Sequence, residues 1–363
     1  MSAGPVVAVV GGGFMARVHT RAARAAGATV AGVLASSPQR SREVAAGLGV
    51  ARGYADLGEL LGDPDVEVVH VCTPNALHAG QAAAAIAAGR HVVCEKPLAI
   101  AVPDAEDLVR AVAAAGLVGT VPFVYRFHPM VREARARFAS GAAGPPVTIS
   151  GSYLQDWMLA AGDGNWRVDA GAGGRSRTFA DIGSHLVDLV EFVTGDRVTR
   201  LAATTRILHQ DRAGHTSVTT EDAAALTLVT RGGAIGTLLV SQVAPGRKNR
   251  LAIEIAGTAE SVGFDQEQPE TLWVGRRAGS TLVPRDADQL APDAARLCTV
   301  PAGHPQGYQD AFGAFVADTY AAVRGDEPEG LPRFADGLRT VRLTEAVLQS
   351  AADGGWIETG ENQ

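Results

Sequence analysis

The glycine cluster Gly11-Gly12-Gly13-Phe14-Met15-Ala16 is the feature of the sequence that most constrains the fold. It directly follows a short apolar run and precedes an alanine-rich helical pattern, giving Gly-x-Gly-x-x-Ala between a strand and a helix. In that setting Gly11 permits the tight turn, Gly13 lets the backbone approach a pyrophosphate, and Ala16 lets the helix pack on the strand. The helix N-terminus then faces the anion. The alternative interpretation is a glycine-rich turn that binds no ligand.

Up to about residue 125 the sequence alternates short β-branched runs with alanine-rich helical stretches, the pattern of a parallel sheet with crossover helices. The predicted strands are residues 6–10, 29–34, 66–72, 91–94 and 117–123. The predicted helices are residues 15–26, 38–48, 75–88 and 103–115. The fold class is therefore predicted to be α/β, with residues 1–125 forming a Rossmann dinucleotide-binding domain.

Beyond Gly144-Pro145-Pro146, longer strand-like runs follow one another directly, which favours a mostly antiparallel sheet. The predicted strands are 147–154, 198–208, 223–230, 234–242, 251–255 and 261–264, with Arg231-Gly232-Gly233 as a hairpin turn. Helices are predicted at 179–193, 308–323 and 335–352, and a loop at 279–295. Residues 126–363 thus form an α+β domain on an open sheet, for substrate binding and oligomerisation. Its last helix is a candidate for packing back on the first domain.

Charge and cysteine content exclude several kinds of partner. The net charge of −7, without any basic run, argues against nucleic acid and anionic membrane. The N-terminal run lacks a cationic segment and a cleavage site, and no run is long enough to cross a bilayer, so we expect a cytoplasmic protein. The cysteines Cys72, Cys94 and Cys298 are widely spaced, and neither CxxC nor HExxH occurs, so no metal site is expected.

Lys96, in the tripeptide Glu95-Lys96-Pro97, is one of only two lysines among 32 cationic Lys and Arg residues. An ammonium can shift its pKa on burial and exchange a proton, whereas a guanidinium stays protonated. The tripeptide follows the predicted strand 91–94, at the edge where α/β sheets bind ligands. A chemical role is one interpretation, and an ordinary solvated ion pair is the other. Neither lysine fits Tyr-x-x-x-Lys or a phosphate-binding Gly-Lys pair, and no Gly-x-Ser-x-Gly is present.

A second group of polar residues lies in the predicted helix 179–193. Asp181, His185 and Asp188 are spaced i, i+4 and i+7, so they share one helix face. Histidine exchanges protons near neutral pH, and a neighbouring carboxylate can orient it. In the alternative interpretation Asp181 supports the first helical turn and His185 satisfies a buried carbonyl.

The end of the second predicted strand bears on the choice of dinucleotide. An acidic residue there accepts hydrogen bonds from the ribose of NAD, but this chain reads Ala35-Ser36-Ser37-Pro38-Gln39-Arg40. Ser36, Ser37 and Arg40 offer two hydroxyls and a guanidinium, which suit a 2′-phosphate. NADP(H) is therefore the preferred cofactor, with NAD(H) as the alternative. In the other interpretation Ser37 simply caps the next helix.

The order of these motifs resembles the Gfo/Idh/MocA family, which includes glucose-fructose oxidoreductase and inositol dehydrogenases. The motifs are the Gly-x-Gly-x-x-Ala start, Thr73-Pro74-Asn75 with His78, Glu95-Lys96-Pro97, and Asp181-x-Gly-x-His185. The resemblance implies that Lys96, Asp181 and His185 surround the reacting carbinol, with a cis peptide before Pro97. It implies cofactor contacts from the run 11–16 including Phe14 and Met15, and from Thr73, Pro74, Asn75, His78, Glu95, Lys96 and Arg126. It also implies that the free face of the second sheet builds homodimers or homotetramers.

Further segments resemble the substrate pockets of sugar-oxidising family members. The candidate substrate contacts are Tyr125, Gln155, Trp157, Trp166, Arg167, Asp169, His304 and Tyr308. Tryptophan faces are good platforms for the C–H surface of a sugar, although both tryptophans could also belong to the core. The expected function is NAD(P)-dependent oxidation of a secondary alcohol on a sugar, sugar derivative or cyclitol. The alternatives are a redox-assisted glycosidase on the same fold and a non-catalytic, cofactor-sensing regulator.

Overall fold

The computed structural model describes residues 4–360, which form two compact units, and the first unit contains a six-stranded parallel sheet. Its strands are β1 Val6–Val10, β2 Thr29–Leu34, β3 Arg52–Gly53, β4 Val68–Val71, β5 His91–Cys94 and β6 Gly119–Thr120. Their order, β3-β2-β1-β4-β5-β6, is that of a doubly wound sheet, which reverses its winding between β1 and β4. Residues 7–10 and all of β4 are buried, as expected for a parallel sheet covered on both faces.

The helices of this sheet are α1 Phe14–Ala25, α2 Pro38–Leu48, α3 Leu57–Leu61, α4 His78–Ala87 and α5 Val102–Ala114. A 3-10 turn, Asn75–Leu77, precedes α4. The predicted strands 66–72 and 117–123 were too long. At β6 the reason is visible, because the N–H of Val121 donates to the carbonyl of Pro332 instead of continuing the ladder with β5. Neither β3 nor α3 was predicted.

The second unit contains a nine-stranded sheet, in the order β14-β13-β12-β11-β7-β10-β9-β8-β15. Its strands are β7 Pro146–Leu154, β8 Val198–Arg206, β9 Ala223–Thr230, β10 Ile235–Ser241, β11 Arg250–Gly257, β12 Ser261–Asp265, β13 Thr271–Arg276, β14 Gly279–Pro284 and β15 Ile357–Glu358. Only β7 and β10 pair in parallel, so the prediction of a mostly antiparallel sheet is confirmed for the described residues. The hairpin turn at 231–233 is also confirmed, since it joins the antiparallel pair β9 and β10.

The helices of the second unit are α6 Pro129–Ala139, α7 Ala170–Gly173, α8 Ser184–Thr194 and α9 Pro292–Ala295. The predicted loop 279–295 was wrong, because β14 pairs with β13 at the sheet edge and α9 follows. The sequence lacked a signal for β14 because five of its six residues are exposed, which removes the apolar alternation. Helix α6 was missed because the buried Arg132 and the half-buried Arg137 interrupt the apolar pattern with ion pairs.

The predicted helix 179–193 begins differently from a regular α-helix. A π-helical turn, Phe179–Gly183, precedes α8. The amide of Phe179 donates to the Glu221 carboxylate, and the amide of Ala180 donates to the Ser176 hydroxyl. The side chains of Glu221 and Ser176, which lie outside the helix, thus stabilise the start of the π-helical turn. Such π-helical turns occur frequently at functional sites.

Two long helices lie near the end of the chain, α10 Tyr308–Val323 and α11 Phe334–Asp353. The first unit comprises the residues up to Val124 together with Gln309–Val341, and the second comprises Tyr125–Tyr308 and the residues from Arg342. The sequence had placed all residues after 125 in the second domain. Residues 309–341 belong to the first unit because Phe334, Leu338 and Val341 are buried in its apolar core.

Candidate active site

The glycine turn between β1 and α1 has the backbone that a dinucleotide requires. Gly11 has a φ of +128°, and a Cβ there would lie 2.5 Å from the carbonyl oxygen of Cys72, so only glycine fits. A Cβ at Gly13 would meet nothing within 4 Å, which leaves open space at the N-cap of α1. No side chain caps this helix, so its first amides are suited to a pyrophosphate. Phe14 is exposed, Met15 is half-buried and Ala16 is buried.

The end of β2 carries the exposed residues Ser36, Ser37 and Arg40. The Ser37 hydroxyl accepts from the amide of Arg40 at 3.1 Å, so the helix-capping interpretation is confirmed. The Arg40 guanidinium donates to Glu43 at 3.1 Å, with both side chains about half exposed. An exposed pair of this kind contributes little to stability. Arg40 can therefore leave Glu43 at little cost when an anion binds.

The turn after β4 and the tripeptide after β5 are joined by His78. Its ring is fully buried, with Nδ1 2.7 Å from the carbonyl oxygen of Pro97 and Nε2 2.9 Å from that of Thr73. The peptide between Lys96 and Pro97 is cis. Asn75 is also buried, while Thr73 and Pro74 are partly exposed. His78 thus supports both loops at the carboxyl edge of the sheet through its ring nitrogens.

Glu95 is a buried carboxylate with both oxygens hydrogen-bonded. Oε1 lies 3.0 Å from Nε2 of His19, and Oε2 accepts from the backbone amide of Lys96 at 3.1 Å. Burial raises the pKa of Glu95, but the hydrogen bond with His19 and the positive charge of Lys96 outweigh this effect. The net pKa is lowered, so the buried group is an anion at neutral pH.

In the second unit, Asp181 and His185 lie at the π-helical turn and the start of α8. One Asp181 oxygen accepts from Nε2 of the fully buried Gln242 at 2.8 Å, and the other lies 3.4 Å from Nε of Arg167. His185 is 8% exposed, and its ring packs edge-on against Tyr125 with centroids 5.1 Å apart. A neutral amide and a guanidinium therefore orient the carboxylate next to a nearly buried imidazole.

Asp188, which lies one turn beyond His185 in α8, pairs with Arg126. Its carboxylate is buried and accepts from Nε of Arg126 at 2.8 Å and also from Nη2. The Arg126 guanidinium also lies over the ring of Phe192, 5.0 Å from its centroid. Arg126, which was predicted to contact the cofactor, thus forms a bidentate ion pair within the second unit. This pair fixes the start of the unit to α8.

A chain of hydrogen-bonded side chains begins at the two tyrosines whose rings pack near His185. The hydroxyls of Tyr125 and Tyr153 are 2.5 Å apart, and Tyr153 donates to Oδ1 of Asn249 at 2.8 Å. Gln155 donates to the same Oδ1 at 2.8 Å, and Nε1 of Trp157 donates to Gln155 at 2.8 Å. Burial raises the pKa of both tyrosines, so their hydroxyls remain protonated at neutral pH. The predicted residues Tyr125, Gln155 and Trp157 are thus connected.

The other predicted substrate residues are spread more widely. Arg167 stacks on Trp166, 4.3 Å from its centroid, and so joins that ring to Asp181. Asp169 is exposed and caps the amide of Gly171. His304 is exposed in the loop before α10, and Tyr308 is the first residue of that helix. The structure therefore connects Trp166 and Arg167 to Asp181, and gives Asp169 a capping role.

Four residues of these clusters were not predicted: His19, His70, Gln242 and Asn249. Gln242 directly follows β10, and Asn249 lies in the turn before β11. His70, which contacts His19, lies between two buried valines in β4, whereas His19 lies among arginines and Thr20 in α1. A buried polar residue within an apolar element is the signal that was available.

Residues 4–360 contain no cluster of His, Cys, Asp or Glu suited to a metal ion. In the same part of the chain no helix is long and apolar enough to span a membrane.

A doubly wound parallel sheet with a glycine turn after its first strand defines a Rossmann-type dinucleotide-binding protein. Residues 6–123 match the model of an oxidoreductase family with an NAD-binding Rossmann fold. Residues 131–262 match the GFO/IDH/MocA C-terminal domain. The chain belongs to the GFO/IDH/MocA family of oxidoreductases, as its motifs predicted.

Curated relatives and solved structures match nearly the whole chain. Levoglucosan dehydrogenase from Pseudarthrobacter phenanthrenivorans is 30% identical over 97% of both chains. The 1,5-anhydro-D-fructose reductase of Ensifer adhaerens is 31% identical over 93% of this chain and 94% of its own. A structure of levoglucosan dehydrogenase in complex with NADH and levoglucosan has a TM-score of 0.92, with 28% identity over 98% of this chain and 100% of that one.

Proposed function

We propose that the protein reversibly oxidises a secondary alcohol of a sugar, sugar derivative or cyclitol with a nicotinamide dinucleotide. The family assignment supports the oxidoreductase class, and both curated relatives are named for reactions on anhydrosugars or their derivatives. The first unit is then the dinucleotide domain, and the second is the substrate-binding and oligomerisation domain.

The observation that carries the proposal is the chain of polar side chains that begins at the two tyrosines beside His185. A sugar or cyclitol presents several hydroxyls that each need a hydrogen-bond partner, and its C–H surface packs well on an aromatic ring. The second unit supplies two tyrosine hydroxyls, the amides of Gln155 and Asn249, and the indole of Trp157 in one connected group. This set suits a polyol better than it suits an apolar alcohol.

The residues have distinct roles in the proposed reaction. His185 takes the proton of the substrate hydroxyl as general base, and Asp181 orients the imidazole and the substrate. Lys96 donates a hydrogen bond to the same oxygen and stabilises the charge that develops there. The nicotinamide, when bound, supplies the hydride acceptor or donor. In the reverse direction His185 returns the proton to the carbonyl oxygen.

A panel of free sugars, anhydrosugars, glycosides and inositols, followed by absorbance of the reduced dinucleotide, tests this function. We expect net reduction of the dinucleotide with an intact substrate skeleton. His185→Ala should lower kcat by about 10²- to 10⁴-fold, the usual contribution of a general base. His209→Ala, whose ring contacts the carbonyl of Leu159, is the matched control. Glycoside cleavage without net reduction, or wild-type turnover in His185→Ala, contradicts the proposal.

For the cofactor we propose a preference for NADP(H) over NAD(H). The support is chemical: residues 35–40 contain no carboxylate, while Ser36 and Arg40 are exposed at the end of β2. The Arg40 guanidinium can leave its weak ion pair with Glu43 and bind a 2′-phosphate instead. With a phosphate it makes stronger, charge-assisted hydrogen bonds.

Measurement of kcat/KM for NADP and NAD tests the cofactor proposal. We expect the NADP/NAD ratio to exceed one and to fall about tenfold in Arg40→Ala, because a hydrogen bond to a charged group contributes about 1.5–3 kcal/mol. Arg42→Ala, with a partly solvated arginine on the same helix, is the control. A wild-type preference for NAD, or the same ratio in Arg40→Ala, contradicts the proposal.

We also propose that the free face of the nine-stranded sheet forms a homodimer or homotetramer. Helices α6 and α8 cover one face, and the other holds a groove of about 990 Å³. Leu239, Trp273 and Leu282 are exposed on this free face by 45%, 36% and 61%, among small residues that allow close approach. Exposed apolar surface of this extent is typical of an interface.

Light scattering of the purified protein tests the assembly. We expect the wild-type mass to be two or four times the chain mass of 37.4 kDa, and Leu239→Arg to reduce it. Leu208→Arg adds the same charge at another exposed leucine and serves as the control. A monomeric wild type, or an unchanged mass in Leu239→Arg, contradicts the proposal.

A further inference from the structure

The first unit contains a line of four buried polar side chains that come from four distant parts of the sequence. They are Glu95 after β5, His19 in α1, His70 in β4 and Tyr320 in α10. His19, His70 and Tyr320 are 0% exposed, and Glu95 is 6% exposed. Successive members are 3.0, 2.9 and 2.9 Å apart: Glu95 Oε1 to His19 Nε2, His19 Nδ1 to His70 Nδ1, and His70 Nε2 to Tyr320 Oη.

The proton on each link follows from the chemistry of the four groups. The ionised Glu95 only accepts, so His19 must donate to it through Nε2–H. If His19 is neutral, its Nδ1 then accepts, and His70 must donate through Nδ1–H. His70 Nε2 then accepts from the Tyr320 hydroxyl. In this arrangement every link has one donor and one acceptor with both imidazoles neutral, and every proton points toward Glu95.

The reverse arrangement is less favourable for two reasons. It requires a doubly protonated His19, with His70 donating to Tyr320. The hydroxyl proton of Tyr320 would then have no other acceptor among residues 4–360, which is costly for a buried group. Burial keeps the pKa of His70 well below its ordinary value, so this ring is neutral in either arrangement.

We propose that His19, His70 and Tyr320 are positioning residues that hold the Glu95 carboxylate in the orientation needed to bind the dinucleotide. Glu95 cannot be oriented by solvent at its depth, and its Oε2 is occupied by the amide of Lys96. His19 is the hydrogen-bond partner of Oε1, so the histidine chain fixes the second oxygen of the carboxylate. The inference rests on the cofactor contact that the family resemblance implies for Glu95, and it adds three residues from α1, β4 and α10.

Nitrogen-resolved NMR of the histidine side chains in the ligand-free protein tests the chain directly. We expect neutral His19 protonated on Nε2 and neutral His70 protonated on Nδ1, with assignments from His19→Gln and His70→Asn. Protonation of His70 on Nε2 would overturn the proposed direction. This readout requires neither a substrate nor turnover, so it can fail or succeed independently of the proposed function.

Two pairs of amide variants test the positioning role. The glutamine side-chain amide can occupy the place of the histidine Nε2, and the asparagine amide that of Nδ1. At position 19 the link to Glu95 uses Nε2, so His19→Gln should bind NADPH and NADH more tightly than His19→Asn. At position 70 the link to His19 uses Nδ1, so His70→Asn should bind more tightly than His70→Gln.

The opposite orders of dinucleotide affinity at positions 19 and 70 distinguish a positioning role from a packing role. A preference for side-chain volume would favour glutamine at both positions. We expect the dissociation constants, measured by fluorescence titration, to differ about 3- to 10-fold within each pair, as for one buried hydrogen bond. Tyr320→Phe should weaken binding by a similar factor, with KM for the dinucleotide rising and kcat kept.

The result that overturns the proposal is the same order at both positions or equal affinity within both pairs. Should a variant fail to fold, shown by loss of its circular dichroism, the comparison of Tyr320→Phe with wild type and the NMR result still decide. Wild-type affinity in Glu95→Gln would instead refute the cofactor contact on which the proposal rests, while leaving the protonation pattern intact.

Discussion

At the scale of single residues, the side chains that the sequence predicted to be functional are oriented by side chains that it did not predict. Asp181 was predicted from its spacing to His185, but its carboxylate is held by Gln242, which lies 61 residues further along the chain. Glu95 was predicted within its tripeptide, but His19 lies 76 residues before it. Hydrogen bonds over such separations leave no local pattern, so one sequence predicts the reacting groups and misses their supports.

Gln242 provides a prediction at this scale. In Gln242→Leu the side chain keeps a similar volume but loses its hydrogen bond to Asp181, so the carboxylate can rotate away from its place beside His185. We expect kcat to fall roughly 10- to 100-fold, as when supporting groups around other reactive side chains are removed. Steady-state kinetics should show this loss with little change in KM for the dinucleotide. Gln289→Leu, at an exposed site, is the control, and equal kcat in both variants would be incompatible with the role of Gln242.

At the scale of elements, the prediction succeeded where the pattern depended on local sequence. Strands β1, β2 and β5 and helix α2 have their predicted bounds, because turns and caps such as Ser37 lie directly beside them. It failed where contacts from other elements decide the structure. The π-helical turn at Phe179–Gly183 depends on Glu221, and β14 depends on its partner β13.

Two glycines in the turn between β1 and α1 allow stability and cofactor binding to be tested separately. In Gly11→Ala the new Cβ meets the Cys72 carbonyl at a φ of +128°, so we expect a loss of about 1–3 kcal/mol in the free energy of unfolding. In Gly13→Ala the new Cβ meets no protein atom, and φ is −92°, so stability should be kept. The same methyl group would occupy the space into which the pyrophosphate fits, so affinity for the dinucleotide should fall.

Urea denaturation and fluorescence titration of both variants check this expectation. An equal loss of stability in the two variants would contradict the open space around a Cβ at Gly13. Wild-type affinity for the dinucleotide in Gly13→Ala would remove the glycine turn from the cofactor site.

At the scale of the whole molecule, the two sheets were predictable because their sequence patterns differ in kind. Alternating strands and helices predicted the parallel sheet, and successive long strands predicted the antiparallel one. Residues 309–341 belong to the first unit, although the sequence placed them in the second domain and named only the last helix as a candidate for packing back on the first. What selects the core is the fit of residues such as Phe334, which local sequence does not encode.

The central claim is that the protein is a dinucleotide-dependent dehydrogenase in which Lys96 acts on the alcohol. Its two lysines allow a matched comparison of kcat in Lys96→Met and Lys248→Met. Lys248 is exposed and paired with Asp156 at the surface, so its variant should keep wild-type turnover. Lys96→Met should lose about 10²- to 10³-fold in kcat with binding of the dinucleotide kept, the usual effect of removing a donor to a developing charge. Near-wild-type turnover in Lys96→Met, or an equal loss in both variants, would contradict the account.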